Sequence, residues 1–175
     1  MGDVGFTPEV EVPRDKQKNV SLLAALIPGR RMESYTIRDG AITSETVVEW
    51  MESNLFPLCG RTFPLQTVVV VTDNARCHGS LVENCVTRNG FRYLKTIPYG
   101  PQTNPIERAS SQIKSFVARG SHADGSELKA QIRQGIESVA EQHTTNYLRA
   151  HLSVLEQMQR GFMLGPDHVF GCVDE

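Results

Sequence analysis

Two carboxylates stand where a folded chain can present them together. Asp73 ends the run Thr67-Val68-Val69-Val70-Val71-Thr72, and Glu107 follows thirty-four positions later at the mouth of a helical segment. The run is β-branched and apolar without alternation, the pattern of a strand buried on both faces inside a parallel or mixed sheet. A carboxylate at the C-terminal edge of such a strand, joined by a second from a nearby helix start, is a common way to hold a divalent cation within reach of a ligand. Converging carboxylates repel unless something positive lies between them. Oxygen-only donors suit Mg²⁺ or Mn²⁺. Cys77 and His78 would suit zinc instead, but one Cys-His pair is short of a zinc site. Two hard cations can activate a water or 3′-hydroxyl and stabilise the leaving oxygen of a phosphodiester displacement.

Each residue also has an architectural explanation. An acid at the third position of a helix, below an Asn cap, completes a capping box and suits the positive end of the helix dipole, which accounts for Glu107. Asx residues after strands close turns with their own side chains, which accounts for Asp73. His78 could position a phosphate or hydrogen-bond within its loop, and Tyr99 could stack or pack. The pair carries more weight than either acid alone, because successive parallel strands end at the same sheet edge.

The elements that must position these groups follow from local pattern. Residues 1–18 form a polar arm broken by Pro8 and Pro13, in which only Val10-Glu11-Val12 alternates. Residues 19–26 and 32–38 read as an antiparallel hairpin turned at Pro28-Gly29 and closed by Asp39-Gly40. Thr43-Ser44-Glu45 opens a helix in which Val47, Val48, Met51 and Leu55 share a face, Trp50 packs, and Pro57 stops the run. After Asp73, Ser80 and Glu83 have capping-box spacing and Asn89-Gly90 ends a helix. Residues 91–97 are the next strand, parallel to the first through a right-handed crossover. Asn104 fits a helix cap and Pro105 the first helical position, which sets Glu107 at the third. Leu128, Ile132, Ile136 and Val139 mark another helix, and residues 147–158 a last one.

Composition bounds the rest. With 175 residues and 39% hydrophobic content, the chain suits one domain: residues 1–18 an arm, 19–119 the sheet and motif core, 120–175 C-terminal helices. No apolar segment approaches the ~20 residues of a membrane span, so a soluble intracellular protein is expected, nuclear if its source is a eukaryote. Cys59, Cys77, Cys85 and Cys172 have no CxxC spacing and read as reduced thiols. The net charge of −2 is unevenly spread: between Val86 and Arg119, six basic residues face Glu107 alone, whereas eight acids face four bases from Ser121 onward. A basic rim with Arg76, Arg108, Lys114 and Arg119 beside two carboxylates is what a phosphodiester substrate requires, although a solvated surface gives the same pattern.

Two motifs carry a resemblance. Asp73-Asn74-Ala75-Arg76-Cys77-His78 resembles the DNAxxH motif of mariner-like DDE superfamily transposases and endonucleases. Ile97-Pro98-Tyr99-Gly100-Pro101-Gln102-Thr103-Asn104-Pro105-Ile106-Glu107 is similar to their LPPYSPxLNPIE motif, with Gly100 in place of Ser and Gln102-Thr103 departing from the usual pair. The thirty-four-position step also matches. The resemblance extends from about Glu9 to Arg119. It implies an α/β, ribonuclease-H-like mixed sheet flanked by helices and Mg²⁺-dependent cleavage and transfer of DNA strands at transposon ends. Asp73 would be the second catalytic acid and Glu107 the third, supported by Asn74, His78, Tyr99, Asn104 and Pro105.

The family's first acid lies on a strand ahead of the hairpin. Asp3 and Asp15 lack the apolar lead-in it needs. The expected sheet therefore lacks its first, central strand, between the hairpin and the strand ending at Asp73. Val10-Glu11-Val12, another chain as in a homo-oligomer, or direct docking of the two halves would have to fill the gap. Two functions follow as expectations: an incomplete strand-transfer enzyme, or a non-catalytic, transposase-derived nucleic-acid-binding module. A serine hydrolase using His78 lacks a nucleophile-elbow pattern.

Overall fold

The computed structural model describes residues 19–64, 67–96, 104–121 and 124–159. The hairpin forms where turn chemistry puts it. Strands β1 (Val20–Ala24) and β2 (Tyr35–Asp39) pair antiparallel, Val20 opposite Asp39 and Ala24 opposite Tyr35. At the turn, Arg30 N–H donates to the Ile27 carbonyl at 3.2 Å, with Pro28 and then Gly29 at φ +72° in the central positions. Proline pre-sets the first of these angles, and glycine accepts the positive second one.

Helix α1 (Ser44–Trp50) begins as expected, the Thr43 hydroxyl accepting the Thr46 N–H at 3.3 Å. It does not stop at Pro57. Residues Met51–Leu55 form a π-helical turn in which Phe56 N–H reaches back to the Met51 carbonyl, and α2 (Phe56–Thr62) continues the same rod with Pro57 in its first turn. A widened turn accommodates the ring, and the missing N–H costs nothing at a helical start.

Strand β3 (Val69–Thr72), helix α3 (Ser80–Arg88) and strand β4 (Arg92–Lys95) make the parallel crossover, Val69 opposite Arg92 and Thr72 opposite Lys95. Gly79, not Ser80, flanks the start of α3, with no side-chain cap; a three-residue 3₁₀ turn draws the backbone into the helix one position before the Ser80 side chain can act. At the other end α3 stops as read, with Asn89 as cap and Gly90 at φ +83°. No atom would crowd a Cβ at Gly90, so its only constraint is the dihedral. Gly90→Ala is expected to cost about 1–2 kcal/mol in a urea titration, with Gly90→Asn milder, because Asn tolerates left-handed backbone.

Three helices complete the chain: α4 (Ile106–Arg119), α5 (Gly125–Glu137) and α6 (Glu141–Gln159). The last starts six residues before the Tyr147 start expected from sequence. Among the described residues, no helix is long and apolar enough to cross a membrane.

Strand alternation distributes the hairpin between two cores. Leu23 and Ala25 face a cluster built on Val47, Trp50, Met51, Val82 and Val86, in which Phe56 and Phe91 stack at 4.8 Å. Leu22, Ala24 and Leu26 face a second cluster on Met32, Ala109, Ile113, Ile136 and Val139. Burial of each such side chain contributes about 1.5–3 kcal/mol.

One mixed sheet was the expectation; among the described residues there are two separate two-stranded sheets, β1-β2 and β3-β4. The β3 run is also not buried on both faces. Val70 is 9% exposed, but Val71 is 50% exposed and its pairing partner Leu94 52%. Helices α4 and α5 pack over the hairpin, so the outer face of β3-β4 keeps less cover.

Candidate functional site

The loop after β3 is built on Asp73. Its Oδ1 accepts the Ala75 N–H at 3.0 Å, an Asx turn. The 3₁₀ turn Arg76–His78 then returns the His78 ring, and Nδ1 lies 2.6 Å from the same oxygen. A carboxylate only accepts, so Nδ1 carries the proton and Nε2 faces outward as the second ring nitrogen. His78 therefore hydrogen-bonds within the loop, one of the two readings its sequence allowed. Both bonds fall on Oδ1, and Oδ2 has no hydrogen bond among the described residues. The Asp73 side chain is 43% exposed and that of His78 17%.

Two further ties hold this edge. Asn74 Nδ2 donates to the Thr96 carbonyl at 2.8 Å, joining the ends of β3 and β4. The Tyr93 hydroxyl lies 2.8 Å from Thr72 Oγ1 and 3.3 Å from the His78 carbonyl. Burial pushes the Tyr93 phenol up, so it stays a neutral donor and acceptor at the base of the loop. Neither Thr72 nor Tyr93 was singled out from sequence; an outward-pointing Tyr in a short strand carries no signal until the strand is paired.

At the start of α4, Asn104 Oδ1 accepts the Ile106 N–H at 3.4 Å, and Glu107 and Arg108 N–H groups bond the Asn104 and Pro105 carbonyls at 3.1 and 3.3 Å. The helix boundary falls one residue later than expected, with Pro105 as the flanking residue, but the Asn104 side chain still caps. Glu107 is exposed in the first turn and makes no hydrogen bond or ion pair among the described residues, so no reciprocal capping-box bond forms. Tyr99 lies outside the described residues.

A cavity of about 410 Å³ brings the two segments together: Asp73 and His78 line it from one side, and Asn104, Pro105 and Ile106 from another. Glu107 is not part of its lining. Leu148 and His151 reach it from α6, a contribution that nothing in the sequence near either motif announces.

Of the basic residues, Arg76, Lys114 and Arg119 are exposed, Arg119 Nε–H bonding the Ser115 carbonyl at 3.0 Å. Arg108 is part-buried, and burial draws its guanidinium below the ordinary value. Arg88 is engaged by Glu52 at 2.8 Å.

The donor set matches a hard ion better than a soft one. Burial pushes the Cys77 thiol up, and the Asp73 charge acts in the same direction, so it is a poor thiolate ligand. His78 Nδ1 is already used. Asp73 Oδ2 and the Glu107 carboxylate remain, and Mg²⁺ is typically held by one or two carboxylates plus substrate phosphate. Cys59, Cys77 and Cys85 are free thiols, as read from their spacing.

Comparison with known families adds one finding. The family model described as DDE superfamily endonuclease matches residues 2–129, a span that takes in the hairpin, both acids and all of α4. A search of curated proteins finds no match.

Proposed function

Because the chain belongs to the DDE superfamily of endonucleases, we propose that it is the catalytic-domain part of a mariner-like DNA transposase, with a ribonuclease-H-like arrangement of its sheets. Its substrate is then DNA at transposon ends, cut and joined by phosphodiester displacement. One observation supports the reading above others: the loop of Asp73, at the C-terminal end of β3, borders the same cavity as the first residues of α4, one turn of which carries Glu107.

Asp73 and Glu107 are the residues that would hold Mg²⁺ or Mn²⁺, which supplies charge stabilisation at the phosphate and activation of the attacking oxygen. The protein's own part is positioning. Ala75 N–H and His78 fix Oδ1 of Asp73, which orients Oδ2 outward. Asn74 locks the loop to β4. Arg76, Lys114 and Arg119 are exposed cations that can neutralise backbone phosphates.

A supercoiled-plasmid nicking assay tests this. The parent is expected to nick only with Mg²⁺ or Mn²⁺, and Glu107→Gln to lose about 10²–10³-fold in rate, the usual scale for removing a group that stabilises developing charge. Equal nicking by both proteins removes Glu107 from the site.

A second reading is favoured by one observation: among the described residues, no three His, Cys, Asp or Glu side chains are grouped to hold a metal ion. A transposase-derived DNA-binding module without turnover would show metal-independent, sequence-indifferent binding. Its log affinity would fall with log salt by about 0.9 per phosphate neutralised. Metal-dependent nicking by the parent excludes it.

A further inference from the structure

The cavity beside Asp73 extends well beyond the carboxylate. Its walls include residues 23–28 at the end of β1 and residues 67–73 along β3, taken consecutively. A cavity over the face of a sheet meets every second residue; one lined by every residue runs along a strand edge. Strand β1 pairs only with β2 and β3 only with β4 among the described residues, so each presents an unpaired edge. The slot thus lies between two edges that both need N–H and C=O partners, which an apolar small molecule cannot supply.

We propose that this slot is a strand site and that its occupant is the chain's own segment Glu9-Val10-Glu11-Val12. Length fits: the segment has four residues, as β3 does, and Pro8 and Pro13 bound it, leaving every N–H between them free to pair. Connection fits: Pro13–Lys18 is a polar linker of six residues leading to Asn19, immediately ahead of β1, so the segment folds back along β1 as a hairpin arm.

Chemistry fits as well. Placed in the slot, Val10 and Val12 join the face of Leu23, Val70 and Trp50, while Glu9 and Glu11 take the opposite face, the side on which Val71 is half exposed. Two residues in the lining hold buried polar atoms without partners, Trp50 Nε1 and His151 Nδ1. Trp50 is 4% exposed, and a buried indole N–H requires an acceptor. Strand carbonyls and glutamate carboxylates are acceptors for both. The family match begins at residue 2, so the segment belongs to the same unit as the two sheets. The inference does not depend on the chemistry proposed above.

Hydrogen–deuterium exchange on the full chain, followed by mass spectrometry, tests it directly. Amides of Val10–Val12 and of Val69–Thr72 are expected to exchange at least ~10-fold more slowly than an unstructured chain. Val10→Pro is expected to release both sets together and red-shift the emission of Trp50, the single tryptophan of the sequence. Val4→Pro, outside the segment, leaves all three signals unchanged. Free exchange at residues 9–12 in the parent overturns the proposal, even if Val10→Pro does not fold. So does an unchanged Val69–Thr72 profile in a folded Val10→Pro protein. Protection at residues 9–12 that vanishes on dilution, together with a dimer-to-monomer change in size, assigns the strand to a second copy and overturns occupancy by the chain's own segment.

Discussion

Asp73→Asn is expected to abolish metal-dependent nicking, by roughly 10²–10³-fold, while leaving fold and DNA binding in place. The substitution separates chemistry from architecture. An asparagine carbonyl oxygen can take over the place of Oδ1, accepting the Ala75 N–H and the His78 Nδ1–H now bound at 3.0 and 2.6 Å. What it removes is the negative charge and the anionic character of Oδ2, the oxygen with no partner among the described residues. Circular dichroism and thermal melting should therefore match the parent, and salt-dependent DNA binding should persist, because Arg76, Lys114 and Arg119 are untouched. His78→Ala offers the contrast: it leaves the carboxylate charged but frees its rotation, and about 10–100-fold in rate is the expected loss for removing a group that orients a metal ligand. Nicking that survives Asp73→Asn at the parent rate would leave the Asx turn as the whole role of Asp73.

The second large effect is on stability. Trp50→Ala is expected to cost about 3 kcal/mol, the lower end of the range for truncating a buried aromatic. The residue is 4% exposed and packs in the cluster that joins α1, α2, α3 and β3. It also lines the 410 Å³ cavity, so part of its surface meets no packed neighbour and the lost contacts are fewer than for a tryptophan enclosed on all sides. For a chain of this size the loss lowers the melting temperature by roughly 6–12 °C, measurable by calorimetry. Trp50→Phe keeps most of the apolar area and deletes the partnerless N–H, so it should cost clearly less than Trp50→Ala. Indistinguishable melting of parent and Trp50→Ala would show that this cluster does not hold the fold.

Much of this molecule is written in short stretches of its sequence, because turn chemistry and side-chain period are local properties. Pro28-Gly29 specified the hairpin turn through one fixed and one positive dihedral. The valine run and the strand seventeen residues or so beyond it were legible as a parallel pair, since a helix between two strands leaves little other choice. The Asp73 loop was legible too: its turn and its histidine lie within five residues, so no distant element is needed to form them. The cap at Asn104 followed from the same short-range logic.

Other features required the whole chain. Whether Pro57 ends a helix or is absorbed by a π-turn depends on the shared packing of Met51, Leu55 and Phe56, which holds α1 and α2 in one line. Val71 and Leu94 look like core residues in any local reading; their exposure follows from where α4 and α5 come to rest, against the hairpin. His151 enters the cavity beside Asp73 from an element far along the chain. The division of the strands into two sheets is the most consequential case. A strand's sequence states that it will pair, through backbone groups common to every residue, but the partner at each edge is chosen only when the elements assemble. Asp73 was therefore identifiable from sequence as a candidate acid, and tertiary structure alone decided that it stands at the end of an open slot.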